Sequence, residues 1–247
     1  MTWWAIVLIG CGVGFFAGLF GAGGSAVGTP LLHASGVPAF VALASPLPAA
    51  LPIALAASGA YREHGYADRR VVTWSVAIGF PATVGGALLT PYLGGPLLVR
   101  ITEGVVAAIG VRLVLFPHEP KERAEETGAF RVRMVMVAAV VGVFSGLLAN
   151  SGGFLLAPLY LVVLHLPIKR ALATSLVVSA ALAVPGTVTH WALGHIDWLV
   201  VLAYAAPATP AAYFGARLAI RSNPEWLTRT YGAVLALLAC GLLIIRK

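Results

Sequence analysis

The chain alternates long apolar runs with short polar breaks, and the runs have helix length rather than strand length. They cover roughly 3–20, 24–36, 39–61, 71–93 and 97–116, then 132–149, 152–166, 170–193, 198–220 and 226–245. At about 1.5 Å of rise per residue, most of them are long enough to cross a hydrocarbon core of roughly 30 Å. The segments 24–36 and 152–166 are too short to span comfortably. A hydrophilic stretch separates the two sets, from His118 to about Ala129, with Lys121, Arg123 and glutamates at 119, 122, 125 and 126. The pattern predicts an all-α polytopic membrane protein. It divides into a first transmembrane repeat (1–117), a cytoplasmic linker (118–130) and a second transmembrane repeat (131–247).

Each short segment follows a glycine-broken turn. The first reads Gly18-Leu19-Phe20-Gly21-Ala22-Gly23-Gly24-Ser25, the second Gly146-Leu147-Leu148-Ala149-Asn150-Ser151-Gly152-Gly153. Glycine clusters bare backbone N–H and C=O groups, which lipid does not satisfy. Such backbone is tolerated at membrane depth where it is buried in protein or lines a polar cavity. Each short segment with the run before it is therefore expected to form a helical hairpin whose tip belongs to a transport site.

The halves repeat. With an offset of 128, Gly14, Gly18, Leu19, Gly24 and Pro30 fall on Gly142, Gly146, Leu147, Gly152 and Pro158. With an offset of 129, Pro38, Ala42, Leu43, Ala44 and Leu47 fall on Pro167, Ala171, Leu172, Ala173 and Leu176. At that second offset Gly65, Asp68, Pro81, Gly86 and Arg100 fall on Gly194, Asp197, Pro210, Gly215 and Arg229. Matched Gly, Pro, Asp and Arg in one register argue for duplication, a signature of secondary transporters.

Charge sets the orientation of the repeats. If each hairpin returns to the side it entered from and the N-terminus lies outside, 13 of the 16 Lys and Arg fall inside and 3 outside. An eight-crossing arrangement with the N-terminus inside gives 10 against 6. The positive-inside bias favours the hairpins, and five segments per half then make the repeats inverted, with both termini outside and the linker inside. Trp3, Trp4, Trp191 and Trp198 are expected in the outer interfacial belt, Trp74 and Trp226 in the inner one.

Composition agrees. The 247 residues are 60% hydrophobic and 10% charged, with mean hydropathy +0.92, whereas a soluble domain carries about a quarter charged residues. The net charge of +7 sits in short loops between apolar runs, as topology requires, and implies no nucleic-acid partner. The first 26 residues lack a basic leader and run into further apolar sequence, so they read as a retained helix. Cys11 and Cys240 read as small buried hydrophobes rather than a disulfide, and neither a cofactor nor a metal site is indicated.

The candidate site is Gly21, Ala22, Gly23, Gly24 and Ser25 of the first turn with Asn150, Ser151, Gly152 and Gly153 of the second. A helix N-terminus carries unpaired N–H donors and roughly half a positive charge, which suits an anion. Ser45 and Pro46, matched by Thr174 and Ser175, lie one to two turns into the helix that follows each hairpin. Their hydroxyls either complete an oxyanion shell or join helices. Arg100 and Glu103 are spaced to pair on one face, Arg112 and Arg217 to snorkel, and His33, His165 and His190 for structural or interfacial roles rather than a proton relay.

At these residues the chain resembles the sulfite exporter TauE/SafE family. The resemblance rests on the glycine motif running into a short Pro-Leu-Leu segment (Gly14 to Leu32), on Ala171 to Leu176, and on the loop Gly194, Ile196, Asp197, Trp198. It covers both halves. It implies a secondary transporter exporting sulfite, an organosulfonate or a related sulfur-containing organic anion across the cytoplasmic membrane by alternating access. The chain departs from the family pattern at Asn150-Ser151, where glycines are common, and at Ser45-Pro46-Leu47, the counterpart of Thr174-Ser175-Leu176. The alternatives are an anion channel on the same scaffold and an intramembrane serine protease using Ser151 and His190. A lipid-pyrophosphate phosphatase would need carboxylate and arginine clusters that the hairpins lack.

Overall fold

A computed structural model describes residues 2–21, 24–62, 64–89, 111, 115, 128–147, 150–192, 194 and 196–245. Those residues form helices and no strand. The helices are α1 Trp3–Phe20, α2 Ser25–Ala34, α3 Ala39–Ala44, α4 Pro46–Arg62 and α5 Arg69–Leu89. There follow α6 Gly128–Leu147, α7 Gly153–Val162, α8 Ile168–Ala192, α9 Trp198–Arg221 and α10 Pro224–Ile245. Five of them, α1, α5, α6, α8 and α9, are long and apolar enough to cross a membrane. The all-α polytopic class expected from the apolar runs is the class observed.

Two segments differ from expectation. The run 39–61 is divided at Ser45 into α3 and α4, because Pro46 and Pro48 cannot donate the N–H bonds that would carry one helix through. α6 begins at Gly128, so the last residues assigned to the linker are its first turn. The rest of the linker, and the segment 97–116 apart from Val111 and Leu115, lie outside the described residues, Arg100, Glu103 and Arg112 among them. Cys11 is exposed on α1 rather than buried, since it falls on the face turned away from the packed helices.

Glycines bring backbones into contact. Gly10, Gly14 and Gly18 of α1 lie against Tyr204, Ala208 and Ala212 of α9, close enough that a Cβ at Gly14 or Gly18 would overlap the partner's backbone. Gly142 and Gly146 of α6 lie in the same way against Gly79 and Thr83 of α5. Gly215 against Phe15 and Gly86 against Val143 complete the two seams. Apart from Gly10–Tyr204, each of these contacts in one seam has its register partner in the other. Lipid tails are as apolar as leucine, so helices associate here through close van der Waals packing, which small residues permit.

Residue numbers rise together along both seams, so α1 runs parallel to α9 and α6 parallel to α5. One end of the bundle gathers cations. Arg170, at the start of α8, shares a cavity with Arg69 and Arg70, at the start of α5. Lys169 Nζ donates to the Ile220 carbonyl at 2.6 Å, near the end of α9. His64, just after α4, lies by Arg217 and Arg221. α4 and α9 thus end where α5, α6 and α8 begin, while α1 begins at the opposite end. Trp3, Trp4, Trp191 and Trp198 are all exposed at that opposite end, and Trp74 and Trp226 are exposed toward the cationic one.

The matched aspartates start matched helices. Asp68 Oδ1 accepts from the N–H groups of Arg70 and Val71, both at 3.1 Å. Asp197 Oδ1 accepts from Leu199 at 2.9 Å and Val200 at 3.3 Å. Each cap satisfies donors that the helix leaves unpaired and contributes about 1 kcal/mol.

Candidate functional site

Both hairpin tips turn through a glycine in left-handed conformation. Gly24 (φ +78°) precedes α2, and Gly152 (φ +70°) precedes α7. A Cβ there would meet Val13 at 3.3 Å and Val141 at 3.0 Å respectively, and Val13 and Val141 are register partners. The two turns are the same device built twice.

The tips touch. Ser25 Oγ lies 3.0 Å from Ser151 Oγ and accepts from the Ser151 N–H at 3.2 Å. Ser25 is the first residue of α2, and Ser151 stands two positions before α7, so two helix N-termini face each other across this pair. The N–H groups of each first turn have no acceptor within their own helix. Each terminus carries about half a positive charge. Ser25, Ser151, Ser175 and Ser179 are all at most 1% exposed, so the seam is buried.

Hydroxyls clamp the tip carbonyls. Ser175 Oγ donates to the Gly21 carbonyl at 3.0 Å, sharing its proton with Leu172 O at 2.8 Å. Ser179 Oγ donates to Ser151 O at 3.0 Å, and Ser145 Oγ to Asn150 O at 2.5 Å. Tyr204 OH reaches Gly24 O at 3.4 Å. Asn150 Oδ1 accepts from the Gly152 N–H at 2.6 Å, which holds the second turn closed on itself.

Of the residues singled out in the sequence, Gly21, Gly24, Ser25, Asn150, Ser151, Gly152, Gly153 and Ser175 come together. Ala22 and Gly23 lie outside the described residues. Thr174 turns elsewhere: its Oγ1 accepts from the Asp68 N–H at 3.0 Å, because adjacent helical residues point about 100° apart. Ser45 and Pro46 are buried where α3 meets α4, and Ser45 Oγ has no hydrogen-bond partner among the described residues. Pro46, the register partner of Ser175, has no proton with which to clamp a tip.

Ser145, Ser179 and Tyr204 escaped the sequence reading. A signal for the first two was present in the repeat register. Ser145 falls on Ala17 and Ser179 on Ala50, so a hydroxyl in one half faces a methyl in the other. Ser151 also does not meet His190. Ser179, on the same helix as His190, holds Ser151, and His190 lies eleven residues further on, about 16 Å by helical rise. The Ser–His dyad is therefore not assembled. His33 Nδ1 contacts the Val37 carbonyl at 3.2 Å, a local role. Among the described residues no group of His, Cys, Asp and Glu is placed to hold a metal ion.

The family model for the sulfite exporter TauE/SafE family matches residues 6–242. The chain belongs to that family, and it is a multi-pass membrane transporter. A probable membrane transporter protein of Xylella fastidiosa (strain 9a5c) is 29% identical over 250 residues, covering 95% of this chain and 93% of the relative. The probable membrane transporter protein YdhB of Bacillus subtilis (strain 168) is 26% identical over 223 residues, 86% of this chain and 88% of its own. YunE of the same organism, also a probable membrane transporter protein, is 34% identical over 113 residues. That alignment spans 44% of this chain and 40% of YunE, less than half of the relative. No solved structure matches the chain.

Proposed function

We propose that this protein is a secondary transporter exporting a small anion, namely sulfite, an organosulfonate or a related sulfur-containing organic anion, across the cytoplasmic membrane by alternating access. The observation that carries the reading is the meeting of α2 and α7, N-terminus to N-terminus, at the buried Ser25–Ser151 pair. Two positive helix ends repel in a low-dielectric interior. An anion between them turns that repulsion into attraction and takes up the first-turn N–H donors. Asn150, Ser151 and the backbone of Gly21, Gly24, Gly152 and Gly153 line this seam, with Ser175 holding the first tip from behind. Ser45 and Pro46 are assigned to the wall of the same pathway, and Thr174 to its support.

The repeats are inverted in this reading, 1–117 against 131–247, joined by the linker 118–130 on the cytoplasmic face. Its support is that α1 and α6 start at opposite ends of the bundle and that Lys169 and Arg170 share an end with Arg69 and Arg70. The eight-crossing arrangement would put a membrane between those pairs. Rocking one set of helices against the other would open the seam to either side. The burial of the Ser25–Ser151 pair favours a carrier over an anion channel on the same scaffold.

A thermal-shift screen of purified protein against sulfite, sulfate, thiosulfate, sulfoacetate, taurine and carboxylate controls tests the substrate class. Stabilisation by sulfur anions, lost in Ser25→Ala/Ser151→Ala, is expected. Equal shifts with carboxylates, or a double variant that responds like wild type, would sink the assignment. In proteoliposomes a carrier gives a saturable flux accelerated by counter-substrate, whereas conductance at channel rates supports the channel.

A further inference from the structure

The α4–α5 loop folds over the start of α8. Gly65 turns the chain in left-handed conformation (φ +64°), and Asp68 caps α5 two residues before Arg70. Arg69 and Arg70 thereby stand in the first turn of α5, where Arg170 reaches them from the other half of the chain. Together with Tyr66 they line a wide-open surface cavity of about 330 Å3. That is the volume of roughly ten water molecules, enough for an oxyanion that keeps part of its hydration.

Among the described residues that line the cavity the charge balance is one-sided: three arginines stand with one carboxylate, that of Asp68, which is 7% exposed and whose Oδ1 is engaged by two backbone N–H groups. The guanidinium fork matches the oxygens of a tetrahedral or pyramidal oxyanion in paired hydrogen bonds. Of the other cations at this end, Arg217 lies over the Tyr213 ring, 4.9 Å from its centre, and Arg131 and Arg133 stand on α6 outside the cavity lining. The positive-inside bias accounts for arginines at this end of the bundle. It does not account for three of them, from two halves, converging on one cavity.

The floor of the cavity is wired to the first tip. The Asp68 N–H donates to Thr174 Oγ1 at 3.0 Å, and the next residue, Ser175, donates to the Gly21 carbonyl at 3.0 Å. Arg170 and Thr174 are four residues apart on α8 and share a face. A single stretch of α8 thus carries an arginine at the cavity, a hydroxyl at its floor and a hydroxyl on the tip.

We propose that this cavity is an oxyanion-binding vestibule, in which Arg69, Arg70 and Arg170 collect the sulfur oxyanion from solution before it reaches the hairpin tips. The assignment rests on the anion-transport reading above. A funnel of one charge sign raises the local concentration of its ligand and its rate of entry. The residues of the vestibule therefore act on apparent affinity, and the tips on turnover.

The test is sulfite flux in proteoliposomes of uncharged phosphatidylcholine, with Arg69→Gln/Arg70→Gln/Arg170→Gln against wild type. The half-saturating sulfite concentration is expected to rise about tenfold, with maximal flux held and the dependence on ionic strength flattened. Arg131→Gln/Arg133→Gln, which removes exposed charge at the same end outside the cavity, leaves half-saturation unchanged. An unchanged half-saturation in the triple variant overturns the vestibule. So does a deficit in maximal flux alone, which marks a structural role, or one that appears only with phosphatidylglycerol, which marks a lipid headgroup site. If wild type carries no sulfite, the transport reading fails by itself, and the cavity is judged by millimolar sulfate in a thermal-shift assay. Stabilisation of wild type but not of the triple variant supports an oxyanion site; equal shifts overturn it.

Discussion

The two hairpin tips share a backbone and differ in chemistry. Gly24 and Gly152 turn the chain alike, each against a valine of the preceding helix, and Gly18 and Gly146 pack alike against the partner seam. The first tip is supported by Ala17 and Ala50 where the second has Ser145 and Ser179, and it reads Ala22-Gly23 where the second reads Asn150-Ser151. The second tip is braced from its own half through Ser145, Ser179 and Asn150. The first is braced from the other half, by Ser175 and Tyr204. The two copies share one hairpin geometry, and the second adds Asn150, Ser145 and Ser179 where the first has alanines. In the proposed transport reading, selectivity is assigned to the copy with more side-chain donors and acceptors.

The largest expected effect falls on what the tips share. Gly18→Leu and Gly146→Leu each force a side chain into a facing backbone, and overpacking of this kind costs about 3 kcal/mol or more. Both should lose monodisperse protein in detergent. If one is tolerated with an unshifted Tm, the seams are not equivalent.

Next come the differences. Asn150→Ala leaves the Gly152 N–H buried without its acceptor, a loss of about 1–3 kcal/mol. Anion flux in proteoliposomes should fall about tenfold, since 1.4 kcal/mol is a factor of ten. Ala17→Ser, which gives the first tip the hydroxyl that Ser145 gives the second, should leave flux within about twofold. Equal losses would make the tips equal partners in binding. Ser179→Ala removes the donor to the Ser151 carbonyl, an intramembrane bond of about 1 kcal/mol, and Ala50→Ser is expected to be silent in the same flux assay.

The smallest effect separates Thr174 from Ser45. Thr174→Val breaks a bond to Asp68 and should lower Tm by the equivalent of about 1 kcal/mol. Ser45→Ala removes a buried hydroxyl that has no partner among the described residues, so Tm should hold or rise. A fall in flux with a raised Tm in Ser45→Ala would place that hydroxyl on the substrate path. Unchanged flux would remove it.

Much of the fold was legible in the chain because lipid imposes simple rules. Apolar length marks the crossing helices, and glycine clusters mark the places where backbone must be shielded. Matched Asp68 and Asp197 stand at helix starts, as capping chemistry demands. The break at Ser45 is legible in Pro46 and Pro48 rather than in the apolar pattern, which runs straight through it, because the prolines lack the N–H bonds that would carry one helix on. The contacts of the candidate site were half legible. The tip residues could be read from spacing, but a serine inside an apolar run does not announce its acceptor. Thr174 and Ser175 are neighbours in sequence and serve different ends, one the Asp68 loop and the other the first tip.

The sequence by itself determined the membrane-spanning helical class, the two glycine tips, their common register and the polar character of the second one. These follow from composition and periodicity, which need no partner to be defined. The tertiary structure decided that the tips meet at Ser25 and Ser151, that hydroxyls from Ser145, Ser175 and Ser179 hold their carbonyls, and that Arg170 joins Arg69 and Arg70 around one cavity. Each of these is a contact between residues distant in the chain. Local propensity carries no information about such contacts, and only the packing of the glycine seams brings the partners within hydrogen-bond range.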